Sequence, residues 1–162
     1  MEDNIKDRIS HIMQLEQLNA LQFADVIGVT GATVNHILQG RKFPSLSFVT
    51  AILEKFPQYN ADWLLMHSGS VWLETNNVTD NNTIDSDASS IAMRIDKLIN
   101  HEQMTATEFA EAIQIQSTSI SPILSGRNFP SLEVISKIKT KFQKYNTNWL
   151  LLGKGNMTKT GI

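Results

Sequence analysis

Cysteine is absent from the 162 residues, which excludes disulfides and thiolate metal sites and allows a reducing compartment. Long apolar runs are missing as well. The longest aliphatic clusters, such as Trp63 to Met66, are far too short to cross a bilayer, so no membrane partner is expected. Met1-Glu2-Asp3-Asn4 opens acidic with no apolar segment behind it, and no signal peptide is expected. Neither sign of charge dominates: 14 Lys and Arg face 16 Asp and Glu, a formal net charge of -2, which argues against nonspecific coating of nucleic acid. Catalytic patterns are missing too. The histidines His11, His36, His67 and His101 show no zinc spacing, and no thiol is there to complete a site. Neither a Gly-x-Ser-x-Gly elbow nor a glycine-rich phosphate loop is present. The expectation is a cytoplasmic protein that is not an enzyme, with no cofactor, metal or small-molecule ligand.

What the chain does have is an internal repeat. Phe23 and Phe109, Gly40 and Gly126, and Trp63 and Trp149 are all separated by 86 positions. Positions 5–69 and 91–155 share 26 identities in 65, which is duplication rather than chance patterning. The repeated residues read largely as scaffold: Ile9 with Ile95, Phe23-Ala24 with Phe109-Ala110, Ile37-Leu38 with Ile123-Leu124, Phe43 to Leu46 with Phe129 to Leu132, and Trp63 to Leu65 with Trp149 to Leu151. Both halves are therefore expected to bury the same core.

In the first half, Ile5, Ile9, Ile12 and Met13 recur at helical spacing and predict an amphipathic first helix. Asn19 is placed to cap a second helix running to about Ile27, with Gln22 reaching back as in a capping box. Thr30 caps a third. Pro44 and Ser45 start a fourth, with Leu46, Val49, Ile52, Leu53 and Phe56 as its apolar face, and Pro57 ends it. Asn60 caps a fifth, whose Trp63 and Leu64 plug the core. From about Ser70 to Ser90 the composition turns to Asn, Thr, Ser and Asp, which reads as a mobile linker. Val71, Trp72 and Leu73 interrupt it; they either fold back on the first domain or form a small dimer contact.

The stretch Ala20 to Leu46 organises the chain. Ala24 supplies the small side chain that a steep helix crossing needs, and Gly28, four residues on, supplies the positive φ of a tight turn. Val34 and Ile37 then face inward, leaving Gly31, Ala32, Asn35, His36 and Gln39 facing out. Ala24, Gly28, Val34 and Ile37, followed by Gly40-Arg41-Lys42-Phe43-Pro44-Ser45 and a downstream Trp-Leu-Leu, resemble the phage-repressor and Cro-like helix-turn-helix (XRE) family. The resemblance implies an all-α fold of two tandem lambda-repressor-like five-helix domains, 4–70 and 90–157, joined by a polar acidic linker at 71–89. It also implies a bacterial or phage source, double-stranded DNA as partner, and usually a homodimer.

On that resemblance Asn35, His36 and Gln39 are candidates for base edges, and Gly31 and Ala32 share their face. Arg41, Lys42 and Arg127 are candidates for phosphate contacts, or else ordinary solvated loop charges. Gln22 either reaches a phosphate or completes its cap. Thr30 and Thr33 place hydroxyls at a helix N-terminus, where backbone amides favour phosphate, although capping alone also accounts for Thr30.

The second half keeps the scaffold and changes the outward face. Gly31, Ala32, Asn35, His36 and Gln39 become Ser117, Thr118, Ser121, Pro122 and Ser125. Gln114 replaces Gly28, so the turn must either avoid positive φ or accept strain of about 1 kcal/mol or more. Pro122, well inside the expected recognition helix, predicts that this helix is kinked or shortened, with a later start capped by Ser119 as one escape. The leading expectation is a sequence-specific transcriptional repressor. One chain could then imitate a dimer across unlike half-sites, or the second motif could have become a dimerisation or docking surface. The rival is a protein-interaction module that keeps the fold without binding DNA.

Overall fold

The computed structural model describes residues 4–73 and 90–159. Among them the regular structure is ten helices with no strand, an all-α protein. The chain divides into two compact units, Met1–Leu73 and Glu74–Ile162. Most of the stretch read as a linker, 74–89, lies outside the described residues.

The first unit holds α1 (Ile5–Leu15), α2 (Ala20–Ile27), α3 (Gly31–Leu38), α4 (Leu46–Lys55) and α5 (Ala61–Met66). Each starts on a side chain suited to satisfy orphan backbone donors. Asn4 with Asp7 and Asn19 with Gln22 form capping boxes, and Thr30, Ser45 and Asn60 cap the rest. The apolar stripes of these helices meet around Ile9, Ile12, Phe23, Val34, Ile37, Val49, Ile52 and Leu64, all essentially without solvent access. Phe48, which the expected face of α4 omitted, is buried as well.

The second unit repeats the plan with α6 (Ile91–His101), α7 (Ala106–Ala112), α8 (Ser117–Leu124), α9 (Leu132–Lys141) and α10 (Thr147–Leu152). Stacked phenylalanines anchor both cores, Phe23 on Phe56 at 5.8 Å and Phe109 on Phe142 at 5.5 Å between centroids. Trp63 and Trp149 are core side chains in their respective units.

Arg8 breaks the apolar reading of α1. It lies only 6% exposed, with Nε donating to the Leu64 carbonyl at 2.8 Å and Nη2 to the Leu65 carbonyl at 3.3 Å. Arg94 repeats this on Leu150 and Leu151, both at 2.8 Å. The last carbonyls of a helix have no partner within it, so one guanidinium ties the first helix of each unit to the end of the fifth.

Val71, Trp72 and Leu73 fold back on the first unit. Asn60 N donates to Val71 O at 2.9 Å and Leu73 N to Gln58 O at 2.8 Å, closing a two-residue antiparallel bridge in which Trp72 stacks on Tyr59. The second unit closes likewise, with Asn146 N on Met157 O and Lys159 N on Lys144 O.

Pro122 neither shortens α8 nor moves its start to Ser119. The helix spans Ser117–Leu124, continuous and eight residues long, as α3 is. Its N-cap is Gln116, without a side-chain cap bond. The physical reason is that Ile120 and Ile123 are buried and hold the helix on the core, which offsets the bond that the missing N–H would have made to the exposed Thr118 and the crowding of the ring against that carbonyl.

Two outcomes follow from these contacts. Replacing Arg8 or Arg94 by Met should destabilise the affected unit by about 2–4 kcal/mol, because helix-end carbonyls are left buried and unpaired; denaturant melts of the full chain check this. The second concerns Tyr59, whose hydroxyl donates to Glu16 at 2.6 Å, and Tyr145, which donates to Glu102. Burial first, then the neighbouring carboxylate, raises both hydroxyl pKa values well above the usual tyrosine range. The folded state thus holds these protons more tightly, a stabilisation complete below about pH 10 and lost as the pH rises past it. Thermal midpoints should fall above that pH more steeply in the wild type than in the Tyr59→Phe, Tyr145→Phe double variant.

Candidate nucleic-acid interface

The corner between α2 and α3 is built as the sequence pattern requires. Gly28 takes φ 73° and ψ 35°, and Val29 N closes the end of α2 on Ala24 O at 2.9 Å. Ala24 has no solvent exposure. In the second unit Gln114 holds φ 56°, and Ile115 N closes on Ala110 O at the same 2.9 Å. Of the two options open to that turn, the chain takes positive φ with a side chain in place. Lys137 Nζ donates to the Gln114 carbonyl at 3.1 Å and fastens the turn to α9.

With Val34 and Ile37 turned into the core, α3 presents Ala32, Asn35, His36 and Gln39 to solvent. These positions follow the i, i+3, i+4, i+7 row of a single helix face. Arg41 and Lys42 are exposed immediately beyond it. Other candidates have local duties. Gln22 Oε1 accepts from Asn19 N at 3.0 Å. Thr30 Oγ1 accepts from Thr33 N at 3.3 Å and pairs with the Thr33 hydroxyl at 2.9 Å. Gly31 lies half-buried under Leu21, whose Cδ1 would stand 3.3 Å from a Cβ at that position. The outer row is thus Ala32, Asn35 and His36 of α3 with its C-cap Gln39, followed by the two cations.

On α8 the matching face carries Thr118, Ser121, Pro122 and Ser125, with Ser117 and Arg127 exposed beside it. Apart from the ring of Pro122 it offers short hydroxyls. The two units thus share a scaffold and differ in the chemistry they present.

Two residues near this face escaped the sequence pattern. Lys6, on the outer side of α1, places Nζ 3.7 Å from where a Cβ of Gly40 would be. It lines, with Ile37, Lys42 and Phe43, an open cleft of about 230 Å³. Phe43 and Phe129 are not core at all. They are 86% and 81% exposed, which corrects the expectation that these repeated phenylalanines belong to the scaffold of a shared core. The physical reason is local: Pro44 next to Phe43, and Pro130 next to Phe129, are the buried residues, and in extended backbone neighbouring side chains point opposite ways.

Among the described residues no three His, Asp or Glu side chains come together as a metal site, and no helix is long and apolar enough to cross a membrane. Comparison with protein-family models, with curated proteins and with solved structures found no match.

The corner gives a paired test. A Cβ at Gly28 would meet no atom within 4 Å, so Gly28→Ala should cost only the left-handed backbone penalty, about 1 kcal/mol, and Gln114→Gly should recover a similar amount in the other unit. Denaturant melts of the two variants, shifting in opposite directions, check the pair.

Proposed function

We propose that the chain is a sequence-specific DNA-binding transcriptional regulator, a repressor acting by operator occupancy with α3 as the helix that enters the major groove. The observation that supports this most is the row Ala32, Asn35, His36, Gln39 exposed on one face of a short helix, set on a left-handed corner and followed at once by Arg41 and Lys42. Asn and Gln can bridge adenine and His can reach a base edge, while cations beyond the helix end suit phosphates that set register. The resemblance to the phage-repressor and Cro-like family points the same way. In this reading the units are tandem repressor-like domains on a flexible linker, in a bacterial or phage cytoplasm. They act as a homodimer or as an intramolecular pseudo-dimer.

A second reading has one observation in its favour. The outward face of α8 bears no amide, cation or imidazole, the groups best suited to read bases. The second unit would then serve as a dimerisation or docking surface, or the whole chain as an interaction module without DNA.

Selection of binding sites from random duplexes at two salt concentrations separates these. The proposal expects an enriched motif and an affinity that falls with salt. The Asn35→Ala, His36→Ala double variant should lose at least about tenfold for that motif. Arg127→Ala should weaken binding only if the second unit also touches DNA. No enrichment, together with no binding at low salt, leaves the interaction reading.

A further inference from the structure

The two repeats differ at 39 of 65 compared positions, since 26 are identical, so an identity that burial does not explain needs another reason. Six identities are exposed in both units. Four have structural duties. Gly40 and Gly126 take φ 70°, and Gln17 and Gln103 take φ 55° in the turn after the first helix of each unit. Ser45 and Ser131 cap α4 and α9. Lys55 and Lys141 sit in the last turn of those helices, where a cation suits the helix dipole.

Arg41 with Arg127 and Phe43 with Phe129 are left. They stand two residues apart, on the strap leaving the recognition helix, with no structural duty in either unit. The phenylalanine is the more telling of the two. A single exposed apolar side chain is ordinary, but this one is exposed almost fully and twice, at matching places. Its backbone is constrained: a following proline disfavours the helical region and pushes the residue toward extended conformations, and Ser45 or Ser131 anchors the strap two residues on. The aromatic is held out, with little backbone freedom left to lose on binding.

We infer that Phe43 and Phe129 are sequence-independent contacts of both units with the sugar-phosphate backbone of duplex DNA, each packing on deoxyribose while the preceding arginine meets phosphate. This rests on the DNA-binding reading and deepens it. The surroundings favour a nucleic-acid backbone over a protein partner: an arginine stands two residues before the ring in both units, and in the first unit Lys6 and Lys42 join Ile5, Ile37 and Pro44 around the same cleft, Ala92 and Asn128 standing at the matching places of the second; one ring with these neighbours is far short of the roughly 800 Å² per partner that a stable protein interface buries. Both units then grip the backbone, and base reading falls to α3.

The test uses the full chain, with Phe43→Ala, Phe129→Ala, Phe43→Leu and Arg41→Ala, against a duplex enriched by the protein itself and a duplex of scrambled sequence, over a salt series. Exposure at both sites predicts unchanged melting. Each Phe→Ala should weaken binding to both duplexes by the same factor, about fivefold, from lost apolar contact, with the salt slope unchanged because no counterion is involved. Phe43→Leu should retain most of the affinity. Arg41→Ala should instead lower the slope by about 1. If the wild type binds and the Phe→Ala variants bind equally well, or lose affinity for the enriched duplex alone, the inference is overturned while the function stands. Loss of self-association, with DNA affinity intact, would overturn it in favour of a protein contact. A wild type that binds neither duplex ends both.

Discussion

The left-handed residue that closes α2 is the constraint on which the exposed face depends. It sets where α3 begins and lets Val34 and Ile37 reach the core while Asn35 and His36 stay out. Glycine takes that conformation at little cost, yet Gln114 holds it at nearly the same φ with the same closing hydrogen bond. The corner is therefore imposed by the packing of Phe109, Ala110, Ile120 and Ile123 more than by the residue standing in it. A penalty of about 1 kcal/mol at one dihedral is small beside four buried side chains, each contributing on the order of 1 kcal/mol or more. A turn residue of this kind affects stability and leaves topology alone.

The same balance explains which features were legible in the sequence. Capping boxes and apolar stripes act within a few residues, and Asn19 with Gln22, Thr30, Ser45 and Asn60 all cap where the pattern places them. Arg8 was not legible because its partners are carbonyls 56 and 57 residues away. An arginine among isoleucines offers no local sign that it will meet the end of another helix. Pro122 misled about helix length for the opposite reason: its local penalty is real, but a short helix held by two buried isoleucines keeps its span.

Phe43 misled in a third way. Repetition goes with burial at Phe23, Trp63 and Leu64 and at their counterparts Phe109, Trp149 and Leu150. Next to proline the rule fails. Extended backbone alternates sides, so burying Pro44 turns its neighbour outward. Phe43 sits between Arg41-Lys42 and Pro44-Ser45 and not in an apolar stripe, and the pre-proline position is the local clue to an extended backbone.

Separating what the units share from what they do not divides their chemistry. The shared set is the packed body, the corner, the guanidinium tying first helix to fifth, and the strap bearing Arg and Phe. The unshared set is the outer row of α3 and α8, where amides and an imidazole face hydroxyls and a proline. A surface that met one common ligand through the helix would be free to change only within that ligand's chemistry, and the change from Asn, His and Gln to Ser, Pro and Ser removes every bidentate group. On the strap Lys42 becomes Asn128, while Arg41, Phe43, Pro44 and Ser45 are kept as Arg127, Phe129, Pro130 and Ser131. Both units present the same arginine and ring on the strap, whereas only α3 carries amides and an imidazole on its outer row.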